Sequence, residues 1–174
     1  MVKLIVCLTG MPGSGKSTIV SALKAKGIKA LNLGDGVRAE AKRRNLESTG
    51  DNLGKLMLEL REKNGPGAIA ELLTEQIKNS QSGVIIIDGV RSTAEIEVLK
   101  NAGSVKLLSI EATADTRYKF LSSRGRSDDP TTRGKFEERD NREMGVGIGE
   151  SIAIADETIV NSDITLDELT ERAY

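Results

Sequence analysis

Histidine is absent from the sequence, and cysteine occurs only once, as Cys7. These absences exclude imidazole acid–base catalysis, Ser-His-Asp triads, histidine metal sites and structural zinc sites. A single thiol cannot form an internal disulfide, so we expect Cys7 to be a small buried hydrophobe. Any chemistry must therefore use carboxylates, amines, guanidinium groups, hydroxyls, backbone N–H groups or an oxygen-bound cation.

A charge imbalance and long apolar segments are also lacking. The formal net charge is −1 and aromatic residues make up 2% of the chain, so neither a basic field nor stacking rings favour nucleic acid. No apolar run approaches the ~20 residues that span a bilayer, and the first residues lack a signal-peptide pattern. We therefore expect one cytoplasmic domain, residues 1–174, that has neither a membrane nor a nucleic acid as partner.

Short apolar segments alternate with amphipathic ones along the chain. Strands are predicted at 2–8, 28–33, 83–88, 105–110 and 157–160. Helices are predicted at 15–26, 35–44, 51–63, 66–79, 93–101, 115–123 and 166–173. This alternation predicts an α/β fold with a parallel sheet and helices on both faces.

The stretch LTGMPGSGKST at 8–18 fits the pattern G-x-x-x-x-G-K-[ST], between a buried strand and a helix. Glycines let the backbone curl its N–H groups around a triphosphate, Lys16 can reach the β- and γ-phosphates, and Ser17 can offer its hydroxyl to Mg²⁺. The sequence therefore predicts a site for a nucleoside triphosphate and Mg²⁺. The predicted nucleotide-binding residues are Gly10, Met11, Pro12, Gly13, Ser14, Gly15, Lys16, Ser17 and Thr18.

A second acidic element follows the segment VIIID at 84–88. Asp88 stands at the carboxyl end of a predicted buried strand, which is where ligands bind in open α/β sheets. There it can hold Mg²⁺ through water and complete a metal site with Ser17. A plain turn after a core strand is the alternative interpretation.

Several further segments carry a family resemblance: DGVRS at 88–92, GRSDDP at 125–130, REMGVGIGESIAIAD at 142–156 and IVNSDITLDEL at 159–169. With the glycine-rich loop, they resemble the adenylate-kinase and nucleoside-monophosphate-kinase group of P-loop kinases. They are still more similar to a mostly archaeal family related to adenylate kinase and dephospho-CoA kinase. The resemblance implies a three-layer P-loop NTPase fold, a five-stranded sheet of order 2-3-1-4-5, and ATP and Mg²⁺ as cofactors. It also implies an acceptor-binding helical lobe at about 35–80 and a lid at about 124–143.

The resemblance also implies which residues contact the phosphate acceptor. The segment LGDGVRAEAKRR at 33–44 resembles the adenylate-kinase pattern TGDxLR, which places Arg38 on the acceptor's phosphate and Asp35 near the transfer point. Arg91 takes the role of the acceptor-binding arginine. Arg61 could form a second anion site with the helix start at 65–67. The alternatives remain open that Asp35 only caps a helix and that Arg38 and Arg61 are solvated surface arginines.

The densely charged stretch at 123–143 resembles a kinase lid that closes over the triphosphate and excludes water. Arg124 and Arg126 match the lid arginines best, and Arg139 and Arg142 are candidates for a second cluster. Asn161 lies in a segment that resembles the nucleotide-base loop of these kinases. A solvated charged face and a simple strand–helix turn are the respective alternatives.

These features predict an ATP-dependent phosphotransferase whose partner is a small phosphorylated acceptor, most simply a nucleoside monophosphate or a nucleotide-like metabolite. The predicted catalytic residues are Lys16, Asp35, Asp88, Arg124 and Arg126. A hydroxyl acceptor, as in dephospho-CoA, would need a base, and Asp35 is then the natural candidate. A regulatory P-loop ATPase without a small acceptor is the other alternative. The acceptor, the choice of ATP or GTP and the oligomeric state stay open.

Overall fold

Five strands form one sheet in the computed structural model, which describes residues 3–125 and 129–174. The strands are β1 (Leu4–Thr9), β2 (Lys29–Asn32), β3 (Val84–Asp88), β4 (Ser104–Glu111) and β5 (Glu157–Val160). All neighbouring strands are parallel, and their order is β2-β3-β1-β4-β5. The α/β fold class and the sheet order 2-3-1-4-5 are therefore confirmed.

The strand register brings three chain segments to one edge of the sheet. Leu8 of β1 and Asn32 of β2 both lie opposite Asp88 of β3. The glycine-rich loop therefore leaves β1 beside the ends of β2 and β3. Carboxyl ends of parallel strands are the usual place for a ligand, so this register positions the candidate site.

Nine helices are found in the described part of the chain. They are α1 (Lys16–Ala25), α2 (Leu33–Arg43), α3 (Gly50–Asn64), α4 (Ala68–Lys78), α5 (Thr93–Lys100), α6 (Ala114–Arg124), α7 (Arg133–Val146), α8 (Ile148–Ala153) and α9 (Leu166–Ala173). The sequence pattern predicted seven of them. Helix α7 lies largely within the charged stretch at 123–143, which resembles a kinase lid whose later arginines are carried by a helix, and α8 was not predicted.

The start of α2 corrects one prediction. Asp35 was expected to cap this helix, but Asn32 is its N-cap, with an extended backbone and a side chain that accepts a hydrogen bond from the N–H of Gly34 at 2.7 Å. An amide caps as well as a carboxylate does, so the N-cap lies three residues before Asp35 and the helix begins at Leu33. Asp35 consequently lies inside the first turn.

Apolar side chains form a cluster on each face of the sheet. One cluster packs Ile5, Cys7 and Ile87 against α2 to α5, and the other packs Leu8 and Ile86 against α1 and α9. Cys7 is fully buried, as expected, and its burial together with the charge of Glu95 raises the pKa of its thiol to about 12. Within the described residues, no helix is long and apolar enough to cross a membrane.

Candidate functional site

Two glycines of the glycine-rich loop lie so close to neighbouring residues that no side chain fits at their positions. Gly10 has φ +139°, and a Cβ there would lie 2.2 Å from the carbonyl oxygen of Ile110. Gly15 has φ +108° and caps α1, and a Cβ there would lie 2.4 Å from Nδ2 of Asn161. Because a glycine cap has no side chain to bond the first amides of α1, those N–H groups are open to an anion.

Lys16 lies inside the curve of this loop. Its Nζ donates to the carbonyl oxygens of Gly10 at 2.6 Å and Met11 at 3.0 Å, and lies 3.4 Å from Oγ of Ser14. Burial lowers the pKa of Lys16 to about 8, although the charge of Asp88 opposes the shift. A partly desolvated ammonium of this kind interacts strongly with a phosphate that replaces the missing water.

The end of β3 offers a carboxylate that suits a hydrated cation. Oδ2 of Asp88 accepts a hydrogen bond from Nδ2 of Asn32 at 3.1 Å. Oδ1 of Asp88 is buried and, among the described residues, has no hydrogen-bond partner. Ser17, at the start of α1, lines the same cavity. A carboxylate with one unsatisfied oxygen, a hydroxyl and phosphate oxygens are the oxygen donors that Mg²⁺ prefers, so these residues fit the ion.

The loop, the end of β3 and the charged helices enclose one central cavity of about 190 Å³. Its lining brings together these predicted site residues: Gly10, Pro12, Gly13, Gly15, Lys16, Ser17, Arg38, Asp88, Arg91, Arg124 and Arg139. Phe120 and Glu143, which the sequence did not single out, line it too. Seven predicted residues do not belong to its lining: Met11, Ser14, Thr18, Asp35, Arg61, Arg142 and Asn161. Arg126 lies outside the described residues.

On the β2 side, Asp35 and Arg38 form an ion pair one helical turn apart. NH1 of Arg38 donates to Oδ1 of Asp35 at 2.6 Å. The side chain of Asp35 is 70% exposed and borders a neighbouring recess, whereas Arg38 reaches the cavity. The basic group is therefore the one that α2 presents to the cavity.

Arg91 lines the cavity and belongs to a series of contacts between arginines and carboxylates. Its Nε donates to Glu143 of α7 at 2.7 Å, and its backbone N–H donates to Oε2 of Glu95 at 2.8 Å. Arg61 reaches the other oxygen of Glu95 at 3.5 Å. Burial raises the pKa of the Glu95 carboxyl, although these donors oppose the shift. Arg61 therefore supports the loop that carries Arg91 and does not face the cavity itself.

Two arginines of the segment at 124–143 share one carboxylate. Arg124 donates from Nε to Oδ2 of Asp129 at 3.1 Å and from NH2 to Oδ1. NH1 of Arg139 lies 3.9 Å from Oδ1 of the same residue. Arg142 is exposed on the outside of α7. Of the two candidates for a second cluster, Arg139 is thus the one that reaches the cavity.

Arg117 is a residue that the sequence analysis missed. Its buried guanidinium forms a bidentate pair with Asp140 of α7, at 2.9 and 2.6 Å, and donates to the carbonyl oxygen of Pro12 at 3.2 Å. It also stacks on the ring of Phe136. The side chain of Arg117 thus joins α6 and α7 to the glycine-rich loop between β1 and α1 (the phosphate loop). Its partners are 105 and 23 residues away, so no local pattern could have indicated them.

Asn161 packs against the back of the phosphate loop. Its side-chain amide donates to the carbonyl oxygen of Ser14 at 2.9 Å, and its backbone N–H donates to that of Glu111 at 2.6 Å. The turn after β5 is thereby fastened to the loop. Asn161 thus supports the loop and is not part of the cavity lining.

A parallel sheet of order 2-3-1-4-5, with a G-x-x-x-x-G-K-S loop between β1 and α1, defines a P-loop fold of the kinase-like type. The family model of the AAA domain matches residues 9–135. The chain belongs to the UPF0200 family, being 41% identical over 165 residues to a UPF0200 protein of Pyrococcus abyssi, an alignment that covers 92% of this chain and 88% of that relative.

Solved structures show the same fold. TT1252 from Thermus thermophilus superposes with a TM-score of 0.71 at 20% identity, covering 99% of this chain and 95% of that one. A shikimate kinase from Bacteroides thetaiotaomicron superposes with a TM-score of 0.60 at 15% identity, covering 97% and 95%. These likenesses show a P-loop kinase fold, which more than one chemistry can use.

Proposed function

We propose that the protein is an ATP-dependent phosphotransferase, which moves the γ-phosphate of ATP to a small phosphorylated acceptor. One observation carries the proposal. Lys16 of the phosphate loop, Asp88 of β3 and arginines from α2, the β3–α5 loop, α6 and α7 line one cavity. A switch that only hydrolyses nucleotide has no use for Arg38 of α2 and Arg91 of the β3–α5 loop in addition to the phosphate loop and the arginines of α6 and α7. A kinase needs them to hold a second anionic molecule.

We assign the donor half of the cavity to ATP. The backbone of the glycine-rich loop, the first amides of α1 and the ammonium of Lys16 bind the phosphates, with Asn161 bracing the loop. Ser17 and Asp88 would hold Mg²⁺, which neutralises phosphate charge and orients the γ-phosphate when bound. The unsatisfied oxygen of Asp88 supports this assignment.

We assign the acceptor half to Arg38 and Arg91, with residues 35–80 as the acceptor lobe. Both side chains line the cavity, and Arg61 steadies the Arg91 loop through Glu95. A guanidinium matches the oxygens of a phosphate group in geometry and charge. These features favour an acceptor that carries a phosphate, such as a nucleoside monophosphate.

We assign residues 124–143 to a lid over the transferred group. Arg124 and Arg139 line the cavity, and the family resemblance implies the same role for Arg126, which lies outside the described residues. Their positive charge would offset the charge that spreads over the γ-phosphate oxygens during transfer, while the lid keeps water out. Arg117 is a positioning residue in this scheme, because it joins α7 to the phosphate loop.

A monophosphate oxygen is already nucleophilic and needs no base, whereas a hydroxyl acceptor does. Asp35 was the natural candidate for such a base. It is instead paired with Arg38, mostly exposed and outside the cavity lining. This arrangement favours adenylate-kinase-like transfer to a phosphate over dephospho-CoA-kinase-like transfer to a hydroxyl.

The test is an ADP-release assay with magnesium ATP, run alone and with AMP, CMP, UMP or dephospho-CoA. We expect one monophosphate to stimulate ADP release, and Lys16→Ala to abolish turnover while leaving the circular dichroism spectrum unchanged. Stimulation by dephospho-CoA would support transfer to a hydroxyl. Turnover that ignores every acceptor would support a regulatory ATPase and contradict the proposal.

A further inference from the structure

Each arginine of the described cavity lining is engaged by a carboxylate of the chain itself. Arg38 pairs with Asp35, and Arg91 pairs with Glu143. Arg124 and Arg139 both face Asp129. The positive charge that would attract phosphates is therefore largely neutralised in advance, and an incoming anion must compete with groups that are already bound.

Glu143 differs from the other two carboxylates in its position. Glu143 is itself a lining residue of the cavity, whereas Asp35 and Asp129 are not part of the lining. The side chains of Glu143 and Arg91 are 14% and 32% exposed, and both residues line the cavity. An anion that reaches Arg91 from the cavity therefore meets a carboxylate on the same guanidinium.

The ion pair between Arg91 and Glu143 is strong enough to affect the binding of an anion to Arg91. Nε of Arg91 and Oε2 of Glu143 are 2.7 Å apart, a length typical of a charge-assisted hydrogen bond. The two residues are 52 positions apart, on the β3–α5 loop and on α7, so the pair links separate parts of the site. Glu143 also acts on Lys16, whose protonated form its charge favours.

We propose that Glu143 is an internal competitor for the acceptor's phosphate, occupying the position on Arg91 that the phosphate takes when the acceptor binds. The proposal rests on the assignment of Arg91 to the acceptor half. Its consequence is selectivity: a ligand with one anionic group and no other contact is rejected, whereas a nucleotide-like acceptor has further contacts that offset the displacement. The apparent affinity of any anion for Arg91 is the intrinsic affinity multiplied by the fraction of molecules in which Glu143 does not hold that arginine.

A different role for Glu143 makes the opposite prediction. If Glu143 remained on Arg91 and merely oriented it for the phosphate, removing the carboxylate would weaken anion binding. If it competes, removing the carboxylate strengthens binding. The sign of the change in Kd therefore decides between competition and orientation.

The experiment is a calorimetric titration of inorganic phosphate at pH 7, with the phosphate loop saturated by a non-hydrolysable ATP analogue and Mg²⁺. We expect Glu143→Gln to lower the Kd for phosphate about tenfold, because no charge-assisted pair must be broken first. Glu143→Ala should give a similar gain. Glu138→Gln, which removes the same charge from an exposed position of α7, should leave the Kd unchanged. In an Arg91→Ala background, Glu143→Gln should have no effect.

An unchanged or higher Kd for both Glu143 variants would overturn the proposal, and so would an equal gain in the Arg91→Ala background. Failure of the proposed function gives a different result, because the ADP-release assay would then show turnover that no acceptor changes, whatever the Glu143 variants do to the Kd for phosphate. If the protein does not bind the ATP analogue at all, wild type and the same variants are titrated with phosphate alone. Only the change in the Kd for phosphate that disappears in the Arg91→Ala background then reports on the Arg91–Glu143 pair.

Discussion

Lys16 illustrates how one half-buried charge can govern the behaviour of the proposed nucleotide site. Its ammonium is partly removed from water, and within the described residues its hydrogen bonds go to loop carbonyl oxygens and a hydroxyl rather than to a carboxylate. The resulting low pKa brings its loss of charge close to physiological pH.

The first prediction is that magnesium-ATP affinity falls as the pH rises through about 8, because the neutral amine no longer attracts phosphates. From pH 7.5 to pH 9 we expect Kd to increase by about fivefold to tenfold. Lys16→Met should bind weakly and show no such pH dependence. Calorimetry at the two pH values measures both, and an unchanged wild-type Kd would contradict the assignment.

The same pKa shift makes the free energy of unfolding change with pH in the direction opposite to magnesium-ATP affinity. The pKa of Lys16 in the folded protein is about 8, below the ordinary lysine value of 10.5, so the unfolded chain binds more protons between these values. The contribution of Lys16 to the free energy of unfolding of the nucleotide-free protein therefore rises with pH across this window. Comparing urea unfolding of wild type and Lys16→Met at pH 7.5 and pH 9.5 isolates that contribution.

Gly10 gives a second prediction at the residue scale. A Cβ there would lie 2.2 Å from a backbone oxygen of β4, and the φ of +139° disfavours any side chain. We expect Gly10→Ala to lower the free energy of unfolding by about 2 kcal/mol or more and to weaken magnesium-ATP binding. Gly54→Ala is the matched control: it lies inside α3, where a Cβ meets nothing within 4 Å. It should raise stability by up to about 1 kcal/mol.

At the scale of elements, α6 and α7 are held to the phosphate loop by the Arg117–Asp140 pair. Removing one partner of a buried pair leaves the other uncompensated. We therefore expect Arg117→Ala to lower the free energy of unfolding by about 3 kcal/mol, measured by urea denaturation, and to raise the Kd for magnesium ATP. Arg133→Ala breaks an exposed pair with Asp115 and should cost less than about 1 kcal/mol. Equal effects of the two changes would show that Arg117 has no special role.

Elements with a complete local signal could be predicted from the sequence, and the others could not. Strand β5 and helix α9 have the predicted bounds, since apolar spacing and a Ser/Thr-type cap define them. Helix α8, IGESIA at Ile148–Ala153, was missed because it is only six residues long and because glycine, a poor helix former, occurs at 145, 147 and 149, just before and within it. Gly147, with φ +105°, both ends α7 and caps α8, so the two helices are joined without a loop.

The residues of the candidate site also fall into those that a local sequence pattern indicates and those that it does not. The phosphate loop and Asp88 follow from a contiguous motif and a strand end. Glu143 and Arg117 function through partners that are distant along the chain, so only the folded arrangement reveals them. Arg61 was expected to face an anion but contacts Glu95, because burial of that carboxylate requires a positive partner.

On the scale of the whole molecule, the sheet edge brings a phosphate-binding loop and several arginines around one space. Parallel pairing aligns the ends of β1, β2 and β3, and the helices that follow them carry the charged groups. The proposed function uses this space to hold a phosphate donor and an anionic acceptor together, next to the apolar clusters on the two faces of the sheet.

The most direct measurement of the central claim is to follow the label from γ-labelled ATP. The protein is incubated with magnesium ATP and the acceptor that stimulates ADP release best, and the products are separated. Our account predicts that the label appears on the acceptor, in a one-to-one ratio with ADP, and that Lys16→Ala abolishes both products. Label found only in inorganic phosphate, at a rate that no acceptor changes, would contradict it.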